Sequence, residues 1–319
     1  MLIENPKTYK GDEVDKIFFR PSFSGENANQ LGIRVIYNMP QPTTVQVWSR
    51  PENVLKSFES GWNGGANAVK MQKTIDMHKV KAESSFSAED YFSMIFERVV
   101  ASSGVGFEDL TGTELEKAET EMFRQAIAEG VRSTMWIGDT KGEISNLKTF
   151  NGFFRQIIDA DIQIANLQIN SEEDVMGAVD TLKRCWYQAS DELKSLRSEG
   201  QLAYFVSSDL YNAYIDELDQ MGVDSAYNGI VNGQATLYYH GIPVVEVPLS
   251  NYDTEKFSHF CILVDRRNLV LALNTADMPE NEVRMWYNPD QMENRQRAVF
   301  LAGADIIDQR LISVVYSNY

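Results

Sequence analysis

Two cysteines and three histidines are all that this 319-residue chain offers of the side chains that most often build metal and redox centres. No Cys-x-x-Cys and no His-Glu-x-x-His occurs, and His78, His240 and His259 are widely scattered, so the spacing of a zinc site is absent. Cys185 and Cys261 each sit in apolar surroundings and read as buried free thiols, which suits a reducing compartment. Positive charge is also scarce: 29 Lys and Arg stand against 46 Asp and Glu, a formal charge of −17. Such a chain does not grip a phosphate backbone over a broad face, and the pairs Arg266-Arg267 and Arg295/Arg297 are too small for a nucleic-acid footprint. No apolar run reaches the ~18 residues of a membrane span. The start, MLIENPKTYKGDEVDK, lacks the basic-then-apolar layout of a signal peptide, and no Asn-x-Ser/Thr sequon occurs. These absences predict a cytosolic product.

Motifs of catalysis are missing in the same way. There is no Gly-x-x-x-x-Gly-Lys-Ser/Thr, no Gly-x-Ser-x-Gly, and Gly104-Val105-Gly106 lacks the third glycine of a dinucleotide loop. Ser145-Asn146-Leu147-Lys148 matches Ser-x-x-Lys, but no Lys-Thr-Gly or Ser-Asp-Asn accompanies it. The acidic groups Glu172-Glu173-Asp174, Asp216-Glu217 and Asp159 with Asp161 read as helix ends and solvated faces. No catalytic, metal or cofactor-binding residue is assigned, and no cofactor is expected; the chain reads as a protein that is not an enzyme.

What is present is ordinary globular material, 43% apolar and 24% charged, enough for a substantial core. Residues 1–35 carry Ile17, Phe18, Phe19 and Phe23 without periodicity and read as an arm ordered by lying against something else. Residues 36–82 hold alternating runs around Val45 and Val47 and around Ile75, Met77 and Val80, joined by Gly61-Trp62-Asn63-Gly64-Gly65. This predicts two long strands with a flexible tip, a hairpin that needs a partner surface. Ser87-Ala88-Glu89-Asp90 predicts a helix start ahead of Tyr91, Phe92, Ile95, Phe96, Val99 and Val100. The capping box Thr113-Glu114-Leu115-Glu116 opens a ~24-residue helix, roughly 36 Å long. Its predicted apolar face is Leu115, Ala118, Met122, Ala126, Ile127, Val131 and Met135. From residue 151 the pattern becomes α/β. A helix is expected from Ser171 to Gly200 with a face through Val175, Val179, Leu182, Trp186, Ala189, Leu193 and Leu196, and another over 209–221. Strands are expected at 202–206, 235–239, 243–247, 260–264 and 269–273, with a long closing strand at the C-terminus.

The order of these parts resembles the major capsid proteins of tailed bacteriophages, the Hong Kong 97 type. The likeness is carried by Lys79-Val80-Lys81-Ala82-Glu83 into Ser87-Ala88-Glu89-Asp90-Tyr91, and by Met135-Trp136-Ile137-Gly138-Asp139 with Phe150-Asn151-Gly152-Phe153. It continues in Tyr204-Phe205-Val206-Ser207-Ser208, in Leu237-Tyr238-Tyr239-His240-Gly241-Ile242-Pro243-Val244, in Ile262-Leu263-Val264-Asp265-Arg266-Arg267 and in the segment 304–315. The resemblance implies an α+β capsid fold: an N-terminal arm (1–35), an extended β-hairpin loop (36–82), a peripheral domain with a long spine helix (83–150 and 286–319) and an axial α/β domain (151–285). It implies a shell subunit that assembles with itself into pentamers and hexamers around double-stranded DNA, without sequence-specific binding and without a membrane. Portal, scaffolding and decoration proteins are the further partners it implies. The location is then the virion capsid, assembled in the bacterial cytoplasm. The family's cross-linking chemistry, which Lys70, Lys73, Asn63 and Asn67 are placed to host, is not assigned.

Charge layout adds one expectation. Residues 69–81 carry Lys70, Lys73, Lys79 and Lys81 against Asp76, whereas residues 108–121 carry six acids against Lys117. The basic strand is expected to lie across the acidic helix start of a neighbouring copy, with Glu114, Glu116, Glu119 and Glu121 facing the lysines. Two other readings remain open: an encapsulin-like nanocompartment shell of the same fold enclosing a cargo enzyme instead of DNA, and an acidic α/β enzyme with a mobile lid at 36–82. A decoration or minor structural protein is disfavoured by the extended loop and spine helix in one chain.

Overall fold

The computed structural model describes residues 7–10, 12–23, 32–38, 43–48, 57, 60, 70–87, 114–160, 164–166, 177–221, 229–231, 234–249, 259–274 and 282–317. Helix and sheet are mixed, as expected. The strands are β1 (Lys7–Lys10), β2 (Arg34–Tyr37), β3 (Thr43–Trp48), β4 (Lys70–Ile75), β5 (His78–Ser87), β6 (Ile164–Asn166), β7 (Leu202–Ser207) and β8 (Gly229–Val231). They continue with β9 (Gln234–Tyr239), β10 (Ile242–Val247), β11 (His259–Asp265), β12 (Leu269–Asn274), β13 (Glu282–Asn288), β14 (Glu293–Ile306) and β15 (Ile312–Ser317). The main helices are α1 (Glu114–Ile137), α2 (Phe153–Asp159), α3 (Ala178–Gln188), α4 (Asp191–Ser195) and α5 (Ser208–Met221).

Two sheets carry the architecture. In the first, the 14-residue β14 is the spine. One of its edges pairs antiparallel with β5; the other pairs with β13 and then β12, which are flanked by β1 and β2. The second sheet has the order β6-β15-β11-β7-β10-β9-β8. Its central strand β7 is buried at every position, which is why LAYFVS reads as a continuous apolar run. One face packs on α3 and α5 through Leu182, Cys185, Tyr214 and Leu218. The other face, through Phe205, Phe260 and Ile262, shares one core with α1, α2 and the first sheet.

Trp136 joins these layers. It is fully buried, with its ring 5.2 Å from Phe153, 5.8 Å from Phe154 and 5.5 Å from Phe205. Two glycines make the junction possible. A Cβ at Gly138 would lie 2.3 Å from the Phe150 carbonyl, and one at Gly152 2.6 Å from the Thr134 carbonyl. The two backbones touch there, with Gly152 N donating to Gly138 O at 2.8 Å.

Several expectations are corrected. The long helix has the predicted length, but its buried stripe runs through Phe123, Ile127, Ala128, Val131, Met135 and Trp136, while Ala126 is exposed and Met122 is 52% exposed. A three-to-four ladder can be followed down either of two adjacent faces, and the bulkiest rings decide which one turns inward. The helix expected from 171 to 200 breaks at Ala189-Ser190, where the Ser190 hydroxyl caps α4 by accepting from Leu193 N at 3.1 Å; 167–176 lie outside the described residues. Gly200 does terminate the helical run, at φ +71°. Ser87 ends a strand, and the helix expected after it lies outside the described residues, as does the hairpin tip. The C-terminal strand β15 has six residues; the long strand is β14, which was not expected. Its first half, Glu-Asn-Arg-Gln-Arg, reads as polar because its inward positions are themselves polar, Asn294 and Gln296 being buried.

The arm is the largest correction. β1 pairs with β13 of the same chain, and the helical segment 12–23 buries Val14, Phe18 and Phe19 in the chain's own core. The Phe19 ring lies 4.9 Å from Phe300. Apolar burial within the molecule orders this part of the arm, and no second copy is needed for it.

Candidate assembly surface

The hairpin begins as six antiparallel pairs between β3 and β4, from Thr43 opposite Ile75 to Trp48 opposite Lys70. It stands on a small apolar cluster of its own: Val45, Ile75 and Met77 against Val270, Ala272 and Leu301. Beneath the turn into β5, Gly303 admits the Asp76 backbone; a Cβ at 303 would lie 2.3 Å from the Asp76 carbonyl. The basic run identified in the sequence is therefore divided. Lys70 and Lys73 stand on the hairpin, whereas Lys79 and Lys81 lie on β5 in the first sheet, opposite Leu301 and Val299.

The candidate residues meet different partners. Lys73 turns inward, pairing with Asp305 at 2.5 Å and donating to the Ile306 carbonyl. Lys79 is exposed, and Lys81 is exposed and pairs with Glu83 at 2.8 Å. Glu121 pairs with Arg124 and accepts from Gln125 at 2.9 Å. Glu119 is buried within its own chain at 1% exposure. Lys70, Glu114 and Glu116 are placed by their backbone alone, in β4 and in the first turn of α1. Among the described residues, the ion pairs of Lys73 and Lys81 are with Asp305 and Glu83, not with the acidic helix start.

Sequence reasoning missed Asp305, Gln156 and Gly303. Asp305 had a signal: a lone carboxylate inside the apolar run Phe300–Ile307 has to find a partner if it is buried. Burial pushes its carboxyl above the usual range, and Lys73 opposes that rise. Nearby Asp308 has the opposite balance: burial works to raise it, but Arg310 hydrogen-bonds to it and holds it below the ordinary value. Gln156 of α2 fastens the same strand, donating to Ala304 O at 2.6 Å and accepting from Ile306 N at 3.0 Å. A cavity of about 280 Å³ opens beside these groups, lined among others by Lys73, Asp76, His78, Gln156, Asp159 and Asp305.

The remaining candidates have structural partners. Cys185 and Cys261 are buried neighbours, the Cys185 thiol lying 3.7 Å from the Cys261 carbonyl, and burial pushes the Cys261 thiol up. Glu217 caps α3 by accepting from Ala178 N at 2.6 Å and Val179 N at 3.0 Å. Ser145 and Lys148 are both exposed at a 3-10 turn. His259 faces Asp209 at 3.7 Å, and His240 sits in the β9–β10 turn at φ +50°. Among the described residues no cluster of His, Cys, Asp or Glu fits a metal ion, and no helix is long and apolar enough to cross a membrane.

No family model and no curated protein matches the sequence. Solved structures do match the fold. A chain of the satellite phage P4 procapsid, which includes the size determination protein, matches with a TM-score of 0.57 at 8% identity, over 92% of this chain and 95% of that one. The capsid of the native GTA particle matches at 0.53 and 12% identity, over 93% and 98%. Gordonia phage Cozz matches at 0.52 and 13% identity, over 91% and 85%. Coverage is high on both sides, and the chain shares the overall fold of these phage and particle capsid chains.

Proposed function

We propose that this chain is the structural subunit of an icosahedral shell, a major capsid protein that assembles with itself into pentamers and hexamers around double-stranded DNA. The observation that carries the reading is the end-to-end fold likeness to phage and particle capsid chains. The charge of −17 supports it, because an acidic wall does not hold packaged DNA by counterion release. In this reading residues 1–35 are the arm, 36–82 the extended loop, 83–150 with 286–319 the peripheral domain, and 151–285 the axial domain. Lys70, Lys79 and Lys81 meet Glu114, Glu116 and Glu121 of an adjacent copy. Lys73 and Glu119 join that contact only by leaving the sites they occupy within the chain. Portal, scaffolding and decoration proteins are the expected virion partners, the virion capsid is the location, and assembly takes place in the host cytoplasm. The reading assigns no catalytic role.

Electron microscopy of negatively stained purified protein tests the proposal. Closed particles or rings of five and six subunits are expected. A field of single small globules at high protein concentration, with and without co-expressed scaffold, would contradict it.

A further inference from the structure

We propose that the Lys73–Asp305 pair is a releasable latch that holds the hairpin β3–β4 down on the first sheet, and that protonation of Asp305 frees the hairpin to lever outward. The inference concerns the single chain and does not rest on the shell reading. Ile75 and Lys73 are two residues apart on β4 and therefore share one strand face. Ile75 is buried in the apolar cluster at the hairpin base, which makes that end a pivot. Lys73, one step further out, makes the ionic contact to Asp305. The connection to β5 is two residues, Asp76-Met77, and its backbone rests on Gly303, where any side chain would block the seat. The cavity of about 280 Å³ lies beside the pair, so the Lys73 side chain has space in which to leave Asp305.

The direction follows from linkage. Lys73 lowers the proton affinity of Asp305, so a proton on Asp305 favours the arrangement in which Lys73 has departed. In the latched arrangement the carboxyl also accepts from the Ile306 N–H at 2.8 Å. Because burial holds the folded carboxyl above its unfolded value, its share of stability is complete at acid pH and declines as pH rises through the folded value. Acidification therefore loosens the hairpin without unfolding the molecule through this group. The other charged groups around the pair pull in both directions. Asp76 raises the Asp305 carboxyl and so assists release. His78 lines the same cavity, and its contribution is separated by substitution. Asp308, paired with Arg310 at 2.9 Å, attracts Lys73 and resists release; Asp159, on the cavity wall, is itself paired with Arg155 at 2.7 Å.

Spin labels at Gln72→Cys and Lys148→Cys, two exposed positions, read the hairpin's place against the body; both native thiols are fully buried, which directs labelling to the introduced ones. The pulsed electron–electron distance distribution is expected to be narrow at about pH 7.5, with a displaced population growing about tenfold by about pH 5. Asp305→Asn and, independently, Lys73→Met should show the displaced population at both pH values. His78→Gln should keep the pH response. Circular dichroism confirms that each variant is folded. A distribution unchanged by pH, an Asp305→Asn chain that matches the parent at neutral pH, or a response lost in His78→Gln would each overturn the latch. Particles in the microscope have no bearing on these outcomes, so this inference and the shell reading fail separately.

Discussion

The junction around Trp136 and the root of the hairpin are both places where one element crosses another at backbone distance, yet they are held by opposite means. At the junction, two glycines bring α1 and α2 together, and a cage of aromatic rings fills all the space around the indole. At the hairpin root, a single glycine admits the Asp76 backbone, a six-residue apolar cluster forms the base, and the next contact outward is ionic beside open space. Apolar packing carries no group that titrates; a buried ion pair costs desolvation and depends on the charge of both partners. The molecule thus joins its two sheets with the contact that does not switch, and seats the β3–β4 strands with one that can.

Substitutions should separate the two regions. Trp136→Ala leaves a cavity at the junction and is expected to cost about 3–5 kcal/mol in urea unfolding, enough to threaten the whole fold. A cost below about 1 kcal/mol would mean the sheets are joined elsewhere. Gly152→Ala drives a methyl into the Thr134 carbonyl and the Trp136 backbone, and about 1–3 kcal/mol is expected by the same measurement. Ser190→Ala removes the cap of α4 at a distance from both regions and should cost about 1 kcal/mol. Lys81→Gln breaks an ion pair whose partners are each more than half exposed, and its effect on stability should stay within about 0.5 kcal/mol. If Lys81→Gln leaves stability alone and still lowers particle yield, the exposed face of β5 is a contact between copies.

The two regions were unequally legible in the sequence. Strands β7 and β9 to β12 announced themselves as short apolar or alternating runs, and α1 and α5 by helical periodicity and caps, because their burial is of ordinary apolar kind. The His240-Gly241 turn was equally plain, since both residues adopt positive φ. What escaped was whatever depends on a distant partner. Asn294 and Gln296 look solvent-facing, yet both are buried, on the strand face they share with Ala298 and Phe300 of the core. Phe18 and Phe19 look like an arm's adhesive until Tyr9 and Phe300 of the same chain are seen to receive them. Lys73 looks like one more surface lysine until Asp305, 232 residues away in the chain and hidden in an apolar run, claims it. Charge patterning gave the sign of the hairpin strand correctly but could not say that one of its lysines points inward.

Sedimentation velocity on the purified chain over a wide range of concentrations puts self-assembly to the most direct test. The account predicts species the size of capsomers or complete particles, growing at the expense of monomer as concentration rises. A single monomeric boundary at every concentration would contradict it.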